Sequence, residues 1–201
     1  HFDGFNRENK NHMDISGDAI DAARAQVGQP DLVVTDNTNG FVKNTDSDEI
    51  SATAGFSWIT DSGFFGFSYN VHDREYGSPP EGSDDAEQAR IEMEHKKLDV
   101  KSEWRFAEGF IEEIRSKLSF TDYQHNEGNE SLFKKDTFEG RIEMPHRSIG
   151  NVDGVFGFQV ISSMFSAEKT EDNSYVVPVT KTQNYSAFVQ ESFDIGATDA
   201  Q

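Results

Sequence analysis

The chain contains no cysteine, which excludes both a disulfide framework and a thiolate-bound metal. No run of about 18 apolar residues occurs in it, so no segment is built to cross a membrane as a helix. Basic residues are scarce. Against 37 Asp and Glu there are only 18 Lys and Arg in 201 residues, a formal net charge of −19. That balance argues against nucleic acid as a partner, because phosphate contact needs a surface rich in Lys and Arg. An acid excess of this size is a general solubility or salt-adaptation feature. The common enzyme constellations are missing as well: there is no Gly-x-Ser-x-Gly elbow, no His-Glu-x-x-His pair and no phosphate-cradling glycine loop. The neighbouring carboxylates Glu112 and Glu113, or Asp84 and Asp85, would point to opposite sides of a strand. No catalytic residue and no resident cofactor is expected.

What the chain does have is phenylalanine (17 residues), glycine (16 residues) and a period of two. Ile50, Ala52, Ala54, Phe56 and Trp58 alternate with Ser51, Thr53, Gly55 and Ser57. Phe65, Phe67, Tyr69 and Val71 alternate with Gly66, Ser68, Asn70 and His72. Strand side chains point alternately to opposite faces, so each such run has one apolar and one polar side. The same reading places Ile114, Leu118 and Phe120 opposite Arg115, Lys117 and Ser119, and Phe138, Ile142 and Met144 opposite Glu139, Arg141 and Glu143. Eight strands are predicted, over 1–8, 48–59, 63–73, 90–106, 110–124, 135–146, 152–166 and 178–195. In 90–106 the pattern breaks, with Ile91 and Met93 early, Val100 and Trp104 late and charge between (Glu94, Lys96, Lys97, Asp99), which places that stretch either above a membrane or beside a bulge.

Short turns (59–63, 107–109, 148–154) alternate with long polar connections (9–47, 74–90, 126–134, 167–177). A short helix over 18–25, capped near Ser16 or Asp18, fits within the first of these. Outer-membrane barrels show such a rhythm, with tight periplasmic turns and wide extracellular loops. Aromatic residues gather near the short turns (Trp58, Phe64, Phe65, Trp104, Phe106, Phe110), where interfacial girdles would place them. The whole of 1–201 reads as part of one β-barrel wall, a piece of a longer protein. A processed small domain is the alternative, and a soluble β-sandwich for adhesion or carbohydrate binding is the competing fold.

Several stretches resemble TonB-dependent outer-membrane receptors of Gram-negative bacteria, in particular the branch related to the zinc receptor of Neisseria. They are Gly55-Phe56-Ser57-Trp58, Gly63-Phe64-Phe65-Gly66-Phe67-Ser68, Tyr76-Gly77-Ser78-Pro79, Thr121-Asp122-Tyr123-Gln124-His125-Asn126-Glu127 and Phe138-Glu139-Gly140-Arg141-Ile142-Glu143-Met144. Gly154-Val155-Phe156-Gly157-Phe158-Gln159 and Val177-Pro178-Val179-Thr180-Lys181-Thr182 follow in order. The resemblance covers about 48–195. It implies an antiparallel transmembrane barrel of about 22 strands around a plug, of which this chain supplies about eight strands. It further implies outer-membrane lipid as surroundings, a TonB protein acting through the plug, and active uptake of a scarce ligand. Zinc, or another metal ion or chelate, heads the list, with a siderophore or haem receptor of the same fold as the alternative.

Histidines are where metal chemistry would lie. His125 and Glu127 stand two apart, in the stretch matching the family's Tyr-x-His-x-Glu segment, and that spacing puts both on one strand face. Imidazole and carboxylate are ordinary zinc ligands. His95, near Glu92 and Glu94, and His72, near Asp73 and Glu75, are further candidates. For each the plain alternative is a solvated loop or lumen residue. The loop after Tyr76-Gly77-Ser78-Pro79 has no histidine, where the zinc branch commonly has several, so the resemblance leaves the cargo open.

Overall fold

The structure, a computed structural model, describes residues 1–10, 44–78, 89–128 and 130–193. They form one antiparallel sheet of eight strands in sequence order: β1 Phe2–Asn9, β2 Ser47–Thr60, β3 Gly63–Gly77, β4 Arg90–Arg105, β5 Glu113–Glu127, β6 Ser131–Ile149, β7 Val152–Lys169 and β8 Tyr175–Phe193. Each strand pairs with its sequence neighbours, and β1 and β8 are the two edges. The fold is all-β, the up-and-down arrangement of a barrel segment. No helix occurs among the described residues. The helix expected over 18–25 lies outside them.

Register decides which side chains share a face. Trp58 lies opposite Phe65, Phe56 opposite Phe67 and Ala54 opposite Tyr69. The same rows run on through Val100 and Leu98 of β4, Leu118 and Phe120 of β5, Phe138 of β6 and Val160 of β7. One face is therefore a continuous apolar surface. Its members are exposed, Phe56 at 57%, Trp58 at 57%, Phe67 at 44% and Phe158 at 59%. Between them Gly66 is buried and Ser68 and Asn70 are half-buried. On β3 and β7 the polar side is thus the more sheltered one, whereas Lys101, Lys117 and Glu139 of the strands between are exposed on it. Among the described residues no oily core lies under either face. Among the described residues only one apolar side chain, Ala167, is buried. A β-sandwich would need a second layer on the apolar face, and the described residues supply none.

Along β4 the apolar band runs from Trp104 to Leu98, about 20 Å at about 3.4 Å per residue. Beyond it the same face turns charged: Lys96 and Glu94 stand beside Asp122 and Gln124. Pairing of β4 with β3 is unbroken from Trp104 to Arg90, so no bulge lies beside 94–99. The pattern breaks because the polarity of the two faces changes where the band ends. Ile91 and Met93 lie on the polar face and Val100 and Trp104 on the apolar one. Register shifts occur instead in β6, between His146 and Ile149, and in β7 around Phe165–Glu168.

Two of the expected long connections are short. β5 continues to Glu127 and β6 begins at Ser131, while β7 continues to Lys169 and β8 begins at Tyr175. Polar strand ends such as Lys134 read as loop in the sequence because they carry no apolar face. In the structure they pair fully, Lys134 with Ser166. Conversely, the connection from Arg105 to Glu113 is longer than its short-turn reading. Strict alternation of loop length therefore does not hold, although the paired strands do. Tight packing also fixes Gly157: a Cβ there would sit 2.3 Å from the Ile142 carbonyl oxygen and 2.6 Å from the Phe188 ring.

Candidate functional site

The polar face beyond the apolar band gathers the candidate histidines. His72 of β3 lies directly opposite His95 of β4, and His95 opposite Tyr123 of β5. One row further out, Met93 lies opposite His125 and His125 opposite Phe133. All are odd-numbered on β4 and β5, so they share one face with Glu127. His125 is held from several sides. Its Nδ1 is 3.0 Å from the Tyr123 hydroxyl, its Nε2 is 3.4 Å from Glu127 Oε1, and its ring stacks on Phe133 at 4.6 Å. The expected pairing of His125 with Glu127 on one face is thus what the structure places there.

The other two histidines find partners that sequence neighbours did not suggest. Glu92 and Glu94 are on the opposite face from His95, as Asp73 and Glu75 are from His72, because odd and odd-plus-one residues alternate. His72 instead meets Glu49 of β2, with Nε2 3.0 Å from Oε1. The angle is wrong for a hydrogen bond, and that buried nitrogen has none. The His95 ring meets Tyr123 edge-on at 6.3 Å. Burial, and then the neighbouring His72, hold the His95 imidazole below the ordinary histidine range, so it is neutral near pH 7. Met93, Tyr123 and Glu49 went unnoticed in the sequence. Met93-x-His95 carries the one local signal, two metal-capable side chains at strand spacing. As the side chains stand, no three His, Asp or Glu among the described residues converge on one point.

Nearer the middle of the sheet the polar face carries charge. Lys101, Lys117 and Arg141 lie side by side across β4, β5 and β6. Arg141 donates from Nε to Glu143 at 2.6 Å and from Nη1 to Gln159 at 3.1 Å, and lies over the Phe188 ring. A groove of about 220 Å³ runs among Lys97, Asp99, Lys117, Glu139 and Arg141. Arg141 is paired with Glu143 and Lys97 with Asp99, while Lys101 and Lys117 are exposed, an array of the kind that lines a polar lumen.

At the loop-side end, Arg90 joins two segments. Its Nη1 is 2.7 Å from Asp46 Oδ2 and its Nε 2.6 Å from Glu75 Oε1. Asn44, with φ of 56°, donates to the Ser78 and Ala89 carbonyls at 2.7 and 2.9 Å. At the other end, Phe110 stacks on His146 at 5.1 Å and on Phe156 at 6.5 Å.

A meander with an exposed apolar band, aromatic residues at its turn side and an opposite polar face has the form of a membrane-barrel wall. No family model matches the sequence. Among solved structures the chain is similar to one described as "Copper transporter OprC", with a TM-score of 0.57 over 79% of this chain at 13% identity. The match takes up 27% of that chain, so this one spans about a quarter of its length. At that identity the likeness is one of fold.

Proposed function

We propose that the chain is a stretch of the wall of a TonB-dependent outer-membrane receptor that imports a scarce metal, as the ion or as a chelate. One observation carries the reading: a single sheet with one continuous apolar face, about 20 Å long on β4, whose large side chains stand exposed on β2, β3 and β7 with no second layer over them among the described residues. Lipid is the natural solvent of that apolar face. The metal half of the reading is supported by three histidines gathered on the polar side beyond the band, and by a structural neighbour named as a copper transporter. Outer loops would capture the cargo, lumen groups would pass it inward, and TonB would act through a plug to open the path.

The resemblance to the zinc branch makes zinc one cargo to test, and the neighbour's name makes copper the other. The test is uptake by cells. A strain lacking the receptor should accumulate less of one metal when that metal is scarce, and the full-length gene should restore it. The purified full-length product should require detergent and migrate faster before heating than after. Unchanged accumulation of every metal tried would end the importer reading, and a detergent-independent monomer would end the membrane reading.

A further inference from the structure

We propose that Met93, His95, His72 and His125 form a single capture site for a soft metal ion, and that its ligands select cuprous copper over zinc. The inference rests on the receptor reading above and names the cargo class of that receptor.

The placement comes from register. Met93 and His95 are two apart on β4, about 7 Å along the strand on the same face. His72 stands directly opposite His95 from β3, and His125 directly opposite Met93 from β5. Facing strand residues have Cβ atoms about 5 Å apart and diagonal ones about 7–8 Å. The register thus sets imidazoles from both neighbouring strands around one patch of β4. The histidines do not converge as they stand, so binding requires them to turn inward while Arg74, opposite Met93, stays over the Tyr76 ring.

Of the four ligands His95 is the open one, and His72 Nε2 lies against Glu49 Oε1 at 3.0 Å. The buried His72 Nε2 lacks a hydrogen bond, and such groups are rare unless something else satisfies them. His95 makes no hydrogen bond among the described residues, only its edge contact with Tyr123. His125 has both nitrogens engaged, and its 3.4 Å contact with Glu127 is the looser of the two. That contact is the one a metal would replace. A metal on His72 Nε2 would likewise replace its contact with Glu49, while Tyr123, on Nδ1 of His125, would orient that ring as outer partners do in metal sites.

Ligand chemistry sets the preference. A thioether is a soft donor that suits monovalent copper, and imidazole accompanies it well. Structural and catalytic zinc sites draw on Cys, His and carboxylate, and methionine is not among their usual ligands. With Met93 among the four, and Glu49 and Glu127 displaced from the imidazole nitrogens they now contact, the set is softer than a zinc site.

The experiment uses the full-length receptor in detergent, titrated anaerobically with Cu(I) in competition with a chromogenic cuprous chelator, and separately with Zn(II). Met93→Leu should weaken Cu(I) binding by at least about tenfold, the scale on which even outer partners of a metal act, and leave Zn(II) unchanged. His95→Ala and His72→Ala should weaken Cu(I) too. Copper X-ray absorption should show a sulfur neighbour that disappears in Met93→Leu, a readout that a packing role for Met93 would not move. Heat-modifiable migration checks that each variant has folded; should Met93→Leu fail to fold, the sulfur signal in the wild type decides. Equal Cu(I) affinity in Met93→Leu, the absence of sulfur from the copper shell, or Zn(II) displacing Cu(I) at equal concentration would overturn the proposal. Those results leave the importer reading standing, since that one falls only if cells without the receptor accumulate every metal normally.

Discussion

Arg90 Nη1 stands 2.7 Å from Asp46 Oδ2, tying the segment that leads into β2 to the first residue of β4. The Arg90 hydrogen bond holds the Asp46 carboxyl below the ordinary carboxylate range. A carboxyl with a depressed folded value contributes stability above its unfolded pKa of about 3.9 and loses it as pH falls through the folded value. The contact should therefore be intact at neutral pH and open in acid. The Gly77 amide, bonded to the Asp46 carbonyl at 3.1 Å, is a reporter. Its hydrogen exchange, corrected for intrinsic rate, should quicken below about pH 4 in the wild type. Asp46→Asn should show the faster exchange at every pH. An exposed pair is worth little to global stability, so overall melting should not move with it.

The two faces of β3 offer the sharpest contrast. Phe67 lies on the exposed apolar band and Ser68, the next residue, on the sheltered polar side. Arginine on a lipid-facing position near mid-membrane costs about 2–4 kcal/mol, and on the lumen side far less. Phe67→Arg should lower the folded fraction of the full-length receptor in lipid by that order, while Ser68→Arg should be close to wild type. Denaturant titration in bilayers, read by heat-modifiable migration, measures both. Equal costs at the two positions would mean that Phe67 does not face lipid.

The sequence disclosed the faces along the apolar band and blurred them beyond it. In β2 and β3 the alternation Phe56, Trp58, Phe65, Phe67 is plain because each band residue must be apolar, and the register confirms it pair by pair. Outside the band both faces meet water, so neither has to be apolar. Met93 and Ile91 then sit on the polar face, and Lys134 belongs to a stretch of strand that looked like a loop. The site suffered the same blur. His125 and Glu127 were legible because their spacing is local, whereas the pairings of His72 with His95 and with Glu49 are set by strands that lie far apart in the sequence. A carboxylate next to a histidine in sequence, as Glu94 is to His95, is the least informative neighbour in a strand, since the pleat sends it to the other side.

At the turn side, the His146 ring lies parallel to Phe110, 9° from coplanar, with Nδ1 2.9 Å from the Arg147 carbonyl and Nε2 3.1 Å from Glu191 Oε2. Arg147 adds a bond from Nε to the Gly109 carbonyl at 2.8 Å, and its amide bonds the Phe110 carbonyl at 2.9 Å. The connection between β4 and β5 is therefore held against the end of β6 by one stack and a set of backbone bonds. Aromatic stacking of this kind adds about 0.5–1.5 kcal/mol beyond burial, so the ring should matter more than its nitrogens. His146→Phe keeps a flat ring over Phe110 and gives up the contacts of both ring nitrogens, with Glu191 and with the Arg147 carbonyl; His146→Ala gives up the stack as well. Hydrogen exchange at the Phe106 and Glu112 amides, bonded to Glu112 and Pro145 carbonyls respectively, should rise clearly in His146→Ala and little in His146→Phe. Equal increases in the two variants would assign the anchoring to the ring-nitrogen contacts instead, and no increase in either would leave Arg147 as the sole clamp on this connection.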